Sequence, residues 1–178
     1  MSRLRAETFF VVLLLAACAN APKKAATVVA NRWSRPSEGA AKRLIEQYGA
    51  PDDATPNKLT WIGKGPWKRT VVWNRPEIYR TPRDFDLMVQ TVKYRVTRDQ
   101  AAELVAFSPA LVVNVEAGEL SSRGSREEIN YLNLNLADEV ARGLKSVEDA
   151  QLAYRRILDT SSAGKASPYM TKLFFPGK

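Results

Sequence analysis

The chain of 178 residues contains no histidine. Catalysis by serine or cysteine with histidine, and general base catalysis by histidine, are therefore excluded. The single cysteine, Cys18, excludes an intrachain disulfide, and without histidine it leaves too few ligands for the usual zinc sites. The composition predicts no cofactor, no metal site and no catalytic residue, although hydrolysis by a pair of carboxylates stays open.

The amino-terminal segment lacks the roughly 20 consecutive apolar residues that a membrane-spanning helix requires. Its apolar run, residues 9–17, has about half that length and follows two cations, Arg3 and Arg5. A positive start, a short apolar run and small residues after it are typical of a secretory signal peptide. We expect residues 1–17 to be that signal peptide and to be removed on export.

The end of this segment carries a specific motif. Leu15-Ala16-Ala17-Cys18 resembles the lipobox of bacterial lipoproteins. The resemblance implies that the Cys18 thiol receives a diacylglyceryl group, that cleavage occurs just before it, and that the new amino terminus is acylated. Two or more acyl chains, at about 0.8 kcal/mol per buried methylene, hold a protein on a membrane almost permanently. The alternative is ordinary cleavage at Ala19-Asn20-Ala21, which would release a soluble product that begins at Pro22.

The residue after the cysteine indicates the membrane. In lipoproteins of diderm bacteria an Asp at this place directs retention in the inner membrane, and here position 19 is Ala. The resemblance therefore implies a lipid anchor in the outer membrane, on its periplasmic face. The formal net charge of +8 favours an acidic partner. Since a periplasmic address argues against nucleic acid, we expect an envelope protein or an acidic glycan as the partner.

The remainder divides into three parts. Residues 18–36 are rich in Ala and Lys without apolar periodicity, and they predict a lipidated amino terminus with a flexible tether. Residues 37–160 predict the folded domain. Residues 161–178 combine Gly and Pro with aromatic side chains, so this tail is either disordered or folded back onto the domain. An exposed apolar cluster of this kind would serve as a docking segment.

The folded part predicts an α+β domain. Four helices are expected to begin after capping residues, and β-rich runs lie between the first two and between the second and third. The caps are Ser37, Thr97, Ser125 and Ser146, and the runs are 58–62, 67–73, 85–96, 111–115 and 120–123. This order predicts a mainly antiparallel sheet of about five strands with helices packed on one face.

Basic and aromatic residues alternate in the first predicted hairpin and in the loop after it. A stacking platform for a sugar or an anion would use such side chains. The candidates are Trp67, Lys68, Arg69 and Trp73 in the hairpin and Arg75, Tyr79 and Arg80 in the loop. The alternative is that the tryptophans lie in the core and that the loop is only solvated. Asn130, Asn133 and Asn135 fall mostly off the apolar stripe of the third helix and are predicted to be exposed.

A wider resemblance covers residues 44–52, 59–61 and 65–70, which are similar to a family of uncharacterised bacterial lipoproteins. That family has no assigned activity, so the resemblance implies no function beyond the anchor. We therefore expect a lipid-anchored, non-catalytic binding or scaffolding module of the cell envelope. The alternative is an envelope glycan hydrolase that uses Asp84, Asp86 or Glu128, and a weaker one is a structural lipoprotein that self-associates through its tail.

Overall fold

The computed structural model describes residues 26–27, 29–74 and 87–176. Within them, six strands form one antiparallel sheet in the order β1-β2-β3-β4-β6-β5. The strands are β1 (Asp53–Thr55), β2 (Lys58–Ile62), β3 (Arg69–Trp73), β4 (Met88–Lys93), β5 (Leu111–Asn114) and β6 (Glu119–Gly124). The helices are α1 (Arg35–Tyr48), α2 (Arg98–Phe107), α3 (Glu127–Ala141) and α4 (Val147–Ser162), followed by a 3-10 turn at Pro168–Met170.

The predicted α+β class is confirmed, with helices packed on one face of the sheet. Alternate strand residues point to the helices, and those with apolar side chains, such as Leu59, Val72 and Leu120, are fully buried there. Each contributes about 1.5–3 kcal/mol of hydrophobic stabilisation. The additional strand, β1, pairs with β2 through Asp53 opposite Thr60, where the sequence predicts a turn.

Two apolar clusters fill the space between helices and sheet. Under α1, Leu44 and Ile45 pack with Trp61 and its strand neighbours. The second cluster joins α2, α3 and α4 to the other end of the sheet. Tyr48, the last residue of α1, contacts both clusters. The two apolar clusters therefore meet at the Tyr48 side chain.

The folded body begins before residue 37, so the expected tether boundary needs a correction. Ala26, Ala30 and Trp33 are buried against the α1 cluster, and Trp33 Nε1 donates to the carbonyl oxygen of Pro56 at 2.7 Å. Helix α1 begins at Arg35, and Ser37 lies buried inside its first turn rather than capping it. Ala26 and Ala30, spaced four apart, let this segment pack closely against the cluster under α1. The composition of the segment alone does not predict this packing.

The carboxyl-terminal segment is folded back onto the domain. This is the second of the two possibilities that the sequence left open for it. Met170 is buried, and the amide of Asn135 donates to the carbonyl oxygens of Tyr169 and Lys172 at 3.0 and 2.8 Å. The backbone N–H of Phe174 donates to the same side chain at 2.9 Å. A single asparagine thus satisfies three backbone groups of this segment.

Helix α3 departs from its predicted form in two ways. Its N-cap is Arg126, without a side-chain capping bond, so the capping box predicted at Ser125 is absent. Asn130, Asn133 and Asn135 are buried, although they were predicted to be exposed. The reason is that α3 lies on the sheet and is also covered by α2, α4 and the carboxyl-terminal segment, so it has no wide exposed face. Among the described residues, no helix has the length and apolarity needed to cross a bilayer.

Candidate functional site

The structure separates the two hairpin tryptophans proposed as a platform. Trp67 is fully buried and stacks on Tyr131, with ring centroids 4.9 Å apart. Trp73 lies at the far end of β3 with 37 % of its surface exposed, and Lys58 Nζ stands 6.0 Å from its ring centroid. The hairpin therefore presents no continuous aromatic surface. Trp67 therefore lies in the core, which is the alternative that we considered for the tryptophans in the sequence analysis.

Two of the predicted basic residues do come together, around a carboxylate that the sequence did not single out. Lys68 Nζ is in direct contact with Glu119 Oε1, and Arg69 Nη2 lies 3.4 Å from Glu119 Oε2. The carboxylate is the shielded partner, since its side chain is 14 % exposed against 37 % and 41 % for the two cations. The hydrogen bond from Lys68 holds the pKa of the Glu119 carboxyl below its usual value.

Further cations line a groove beside this contact. The groove has a volume of about 330 Å³ and is lined by Lys68, Lys93, Tyr94, Arg95, Ala117 and Gly118. Lys93 lies opposite Glu119 in the register of β4 and β6. Both Lys93 and Arg95 are exposed, and neither forms an ion pair with any residue that the structure describes. We name this feature the basic groove.

The backbone explains why these side chains meet. The N–H of Lys68 donates to the carbonyl oxygen of Thr91, which fixes the start of β3 beside β4. The N–H of Tyr94 donates to the carbonyl oxygen of Gly118 in the turn between β5 and β6. Gly118 has φ +61°, and a Cβ atom there would lie 3.0 Å from Arg95 Cγ. Glycine thus permits both the turn and the close passage of the arginine stem.

The groove offers charge rather than backbone donors. The N–H of Gly118 donates to Val115, and the N–H of Ala117 donates to the side chain of Asn114. The Tyr94 hydroxyl donates to Asp138 at 2.7 Å, and its burial raises the pKa of this phenol above the usual value. A ligand in the groove would therefore be held by lysine and arginine side chains. The exposed Glu116 lies in the same turn but does not line the groove.

The interior holds a second polar cluster, around Glu127 at the first turn of α3. Glu127 Oε1 accepts from the hydroxyls of Tyr48 and Tyr131, each at 2.7 Å, and Oε2 accepts from Gln90 Nε2 at 2.9 Å. Burial, together with the bond to this carboxylate, raises the pKa of both phenols above the usual value. Only 9 % of Glu127 is exposed. We name these residues the Glu127 cluster.

Several predicted site residues lie outside the described residues. These are the lipidation site Cys18 with its lipobox and signal peptide, the loop residues Arg75, Tyr79 and Arg80, and the carboxylates Asp84 and Asp86. Within the described residues, no group of three or more Cys, Asp or Glu side chains is placed to hold a metal ion.

The chain has no significant match among protein families, among characterised proteins or among solved structures. The family resemblance seen in the sequence therefore stays a prediction, and the site has to be interpreted from its own geometry.

Sequence reasoning missed Lys93, Arg95 and Glu119 as members of the site. Strand alternation does place Lys93 and Thr91 on the face opposite the buried Val92, which is a weak signal for an outward cation. The pairing of β4 with β6 is what brings Lys93 to Glu119, and these strands are separated by α2 and β5. No local sequence pattern predicts that Lys93 and Glu119 are neighbours.

Proposed function

We propose that this protein is a lipid-anchored module of the bacterial cell envelope whose folded domain binds an anionic envelope component. The lipobox at Leu15-Ala16-Ala17-Cys18 supports the anchor, and the Ala at position 19 supports the periplasmic face of the outer membrane. The charge arrangement of the basic groove supports the binding role.

The observation that carries the binding role is the excess of cations around Glu119. Lys68 and Arg69 share one carboxylate, and Lys93 and Arg95 next to them have no acidic partner among the described residues. Four cations against one carboxylate repel one another in the absence of a ligand. An anion in the groove would relieve that repulsion, so the arrangement favours an acidic partner.

The alternative function, glycan hydrolysis, is compared with the linings of the two depressions in the described residues. No Asp or Glu lines the basic groove. A second depression, of about 420 Å³ between α2 and α4, is also lined without a carboxylate, by Phe107, Ser108, Pro109, Ala110, Gln151, Tyr154 and Arg155. Glycan hydrolysis requires two carboxyl groups that face each other across a cleft. Glu128, one of the three candidates for that role, is exposed on the first turn of α3.

The anchor is tested by the intact mass of the mature amino terminus. We expect a chain that begins at Cys18 and carries fatty acyl groups, found in the outer-membrane fraction. Cys18→Ser should yield a product without lipid that leaves this fraction. A native product that begins at Pro22 and carries no lipid would contradict the anchor.

The binding role is tested by retention of solubilised envelope material on the immobilised full chain. Lys93→Ala/Arg95→Ala should lose retained material, and the loss should be greatest at low salt because exposed charges are screened. Arg43→Ala/Arg156→Ala is the matched control, since it removes two exposed cations from α1 and α4. Equal retention by the parent and the groove variant would contradict the proposal.

A further inference from the structure

We infer that the ligand of the basic groove is a phosphate monoester, on a lipid headgroup or on a soluble envelope saccharide. This inference rests on the proposed binding function and specifies its ligand. It follows from the charge, the size and the donor types of the groove, which are taken in turn.

The unpaired charge of the groove matches a dianion. Glu119 engages Lys68 and Arg69, so among the residues that the structure describes Lys93 and Arg95 are two cations without a carboxylate partner. A phosphate monoester carries a charge of about −1.5 to −2 at pH 7. A carboxylate or a phosphate diester carries one charge and would leave one of the two cations unpaired.

The donors of the groove also favour phosphate. The guanidinium of Arg95 can bind two phosphate oxygens side by side, and Lys93 acts as a point charge on a flexible stem. The neighbouring backbone N–H groups of Tyr94, Ala117 and Gly118 are already bonded. A tetrahedral group with three terminal oxygens can engage both side chains from one position, without help from the backbone.

The size of the groove limits the rest of the ligand. A volume of about 330 Å³ admits a phosphate with one small substituent, such as a glycerol or a single sugar. A longer polymer would extend beyond the groove. The groove therefore has room for a terminal phosphate with its first substituent.

Glycerol 3-phosphate is the first probe, added to the purified full chain in a non-ionic detergent. Binding is followed through the backbone amide resonances of Lys68, Lys93, Arg95 and Gly118. We expect saturable shifts at these positions, with inorganic phosphate acting similarly and with dimethyl phosphate and acetate at least about threefold weaker. Lys93→Ala/Arg95→Ala should weaken binding about tenfold, whereas Arg43→Ala/Arg156→Ala should leave it unchanged.

The pH dependence gives an independent readout. The second ionisation of a phosphate monoester occurs near pH 6, and histidine, which ordinarily titrates in this range, is absent from the chain. Affinity for glycerol 3-phosphate should fall about two- to fourfold from pH 7.5 to 5.5, as the dianion is replaced by the monoanion. Affinity for dimethyl phosphate, which stays singly charged, should remain level and serves as the control.

Vesicles separate the two sources of the phosphate. Binding of the Cys18→Ser chain, which has no acyl chains, to phosphatidylcholine vesicles that contain phosphatidic acid but not to phosphatidylcholine alone, with loss of this binding in Lys93→Ala/Arg95→Ala, assigns a lipid headgroup. Binding of glycerol 3-phosphate without retention on the vesicles assigns a soluble saccharide, and both results support the inference.

Acetate binding as tightly as glycerol 3-phosphate would overturn the phosphate assignment while the proposed function stands. Shifts spread over the surface, or an equal loss in the Arg43→Ala/Arg156→Ala control, would also overturn it. Envelope retention that is insensitive to the groove variant is the separate result that removes the proposed function itself.

Discussion

Glu119 and Glu127 are two shielded carboxylates in the same domain with opposite surroundings. Glu127 accepts hydrogen bonds from neutral groups, the two phenols and the amide of the Glu127 cluster. Glu119 contacts two cations and has further cations beside it. Neutral hydrogen-bond donors of the protein therefore surround the Glu127 carboxylate, whereas an excess of positive charge surrounds the Glu119 carboxylate.

This difference separates a structural role for Glu127 from the binding role that we propose for the basic groove. A buried carboxylate must be hydrogen-bonded, and the Glu127 cluster uses the first turn of α3, the end of α1 and strand β4 for this purpose. Its oxygens already have partners from three elements, so the cluster joins parts of the fold. The cations of the basic groove face solvent and exceed their carboxylate in number. Stability alone does not require such an excess, and this is why we propose an anionic ligand for the groove.

The largest expected effect is on the Glu127 cluster. Glu127→Ala removes the acceptor of three buried or half-buried donors, Tyr48, Tyr131 and Gln90. We expect a loss of about 3 kcal/mol or more in the free energy of unfolding, measured by urea denaturation. Glu128→Ala is the matched control, since Glu128 is the next acidic residue of the same helical turn and is exposed. Similar losses in both variants would show that only helix-terminal charge matters.

The second effect concerns the carboxyl-terminal segment. Asn135→Ala removes three hydrogen bonds to that segment, so we expect a loss of about 2–3 kcal/mol. Amide hydrogen exchange should accelerate most at Phe174, whose N–H loses its acceptor. Asn133→Ala is the control because Asn133 is equally buried but bonds to Ser122 of β6. If both variants release the segment alike, Asn135 has no specific part in holding it.

The third effect is a loss of stability at alkaline pH. The pKa values of Tyr48, Tyr94 and Tyr131 are raised in the fold by burial, and the hydrogen bond to Glu139 raises the pKa of Tyr169 to about 12. Because the unfolded phenol ionises near pH 10, this contribution to stability is complete below pH 10. It is lost above pH 10 by up to about 1.4 kcal/mol per pH unit for each tyrosine.

The measurement is the urea midpoint between pH 9 and 12, together with phenolate absorbance of the folded protein. Tyr131→Phe should make the decline in stability shallower than in the parent. An identical slope for the variant and the parent would contradict the assignment of this decline to the buried phenols.

Local patterns predicted much of the fold and little of the site. The strand predicted at residues 58–62 is β2, and Thr97 forms the capping box expected with Gln100 at the start of α2. Ser146 accepts from the N–H of Asp149 and begins α4 as predicted. These signals act within a few residues, so the sequence can display them directly.

The errors share a physical cause, which is neighbours distant in sequence. The three asparagines of α3 were predicted to be exposed because we assumed that only one apolar stripe of the helix is buried. Elements that precede α3 in the sequence and elements that follow it both cover the helix. The basic groove likewise depends on Lys68, Arg95 and Gly118 meeting from three separate segments. The spacing of the cations along the sequence does not indicate that these three segments are neighbours in the fold. Of the predicted binding residues, Lys68 lines the groove and Arg69 contacts its carboxylate.

The smallest expected effect sharpens the comparison of the two carboxylates. Glu119→Gln keeps the size of the side chain and removes its charge. Because Lys68 and Arg69 stay partly in solvent, their ion pairs with Glu119 are worth little, and the unfolding free energy should change by no more than about 1 kcal/mol. The depressed pKa of Glu119 means that this contribution is present at neutral pH and is lost as pH falls through the folded value. Lys68 and Arg69 then lack their carboxylate, so affinity for glycerol 3-phosphate should rise about two- to fivefold. A fall in affinity would instead mean that Glu119 holds Lys68 in the position that a ligand requires.

Glu127→Gln, at the other carboxylate, should leave this affinity unchanged and should cost more stability than Glu119→Gln, because its partners are donors that an amide nitrogen cannot satisfy.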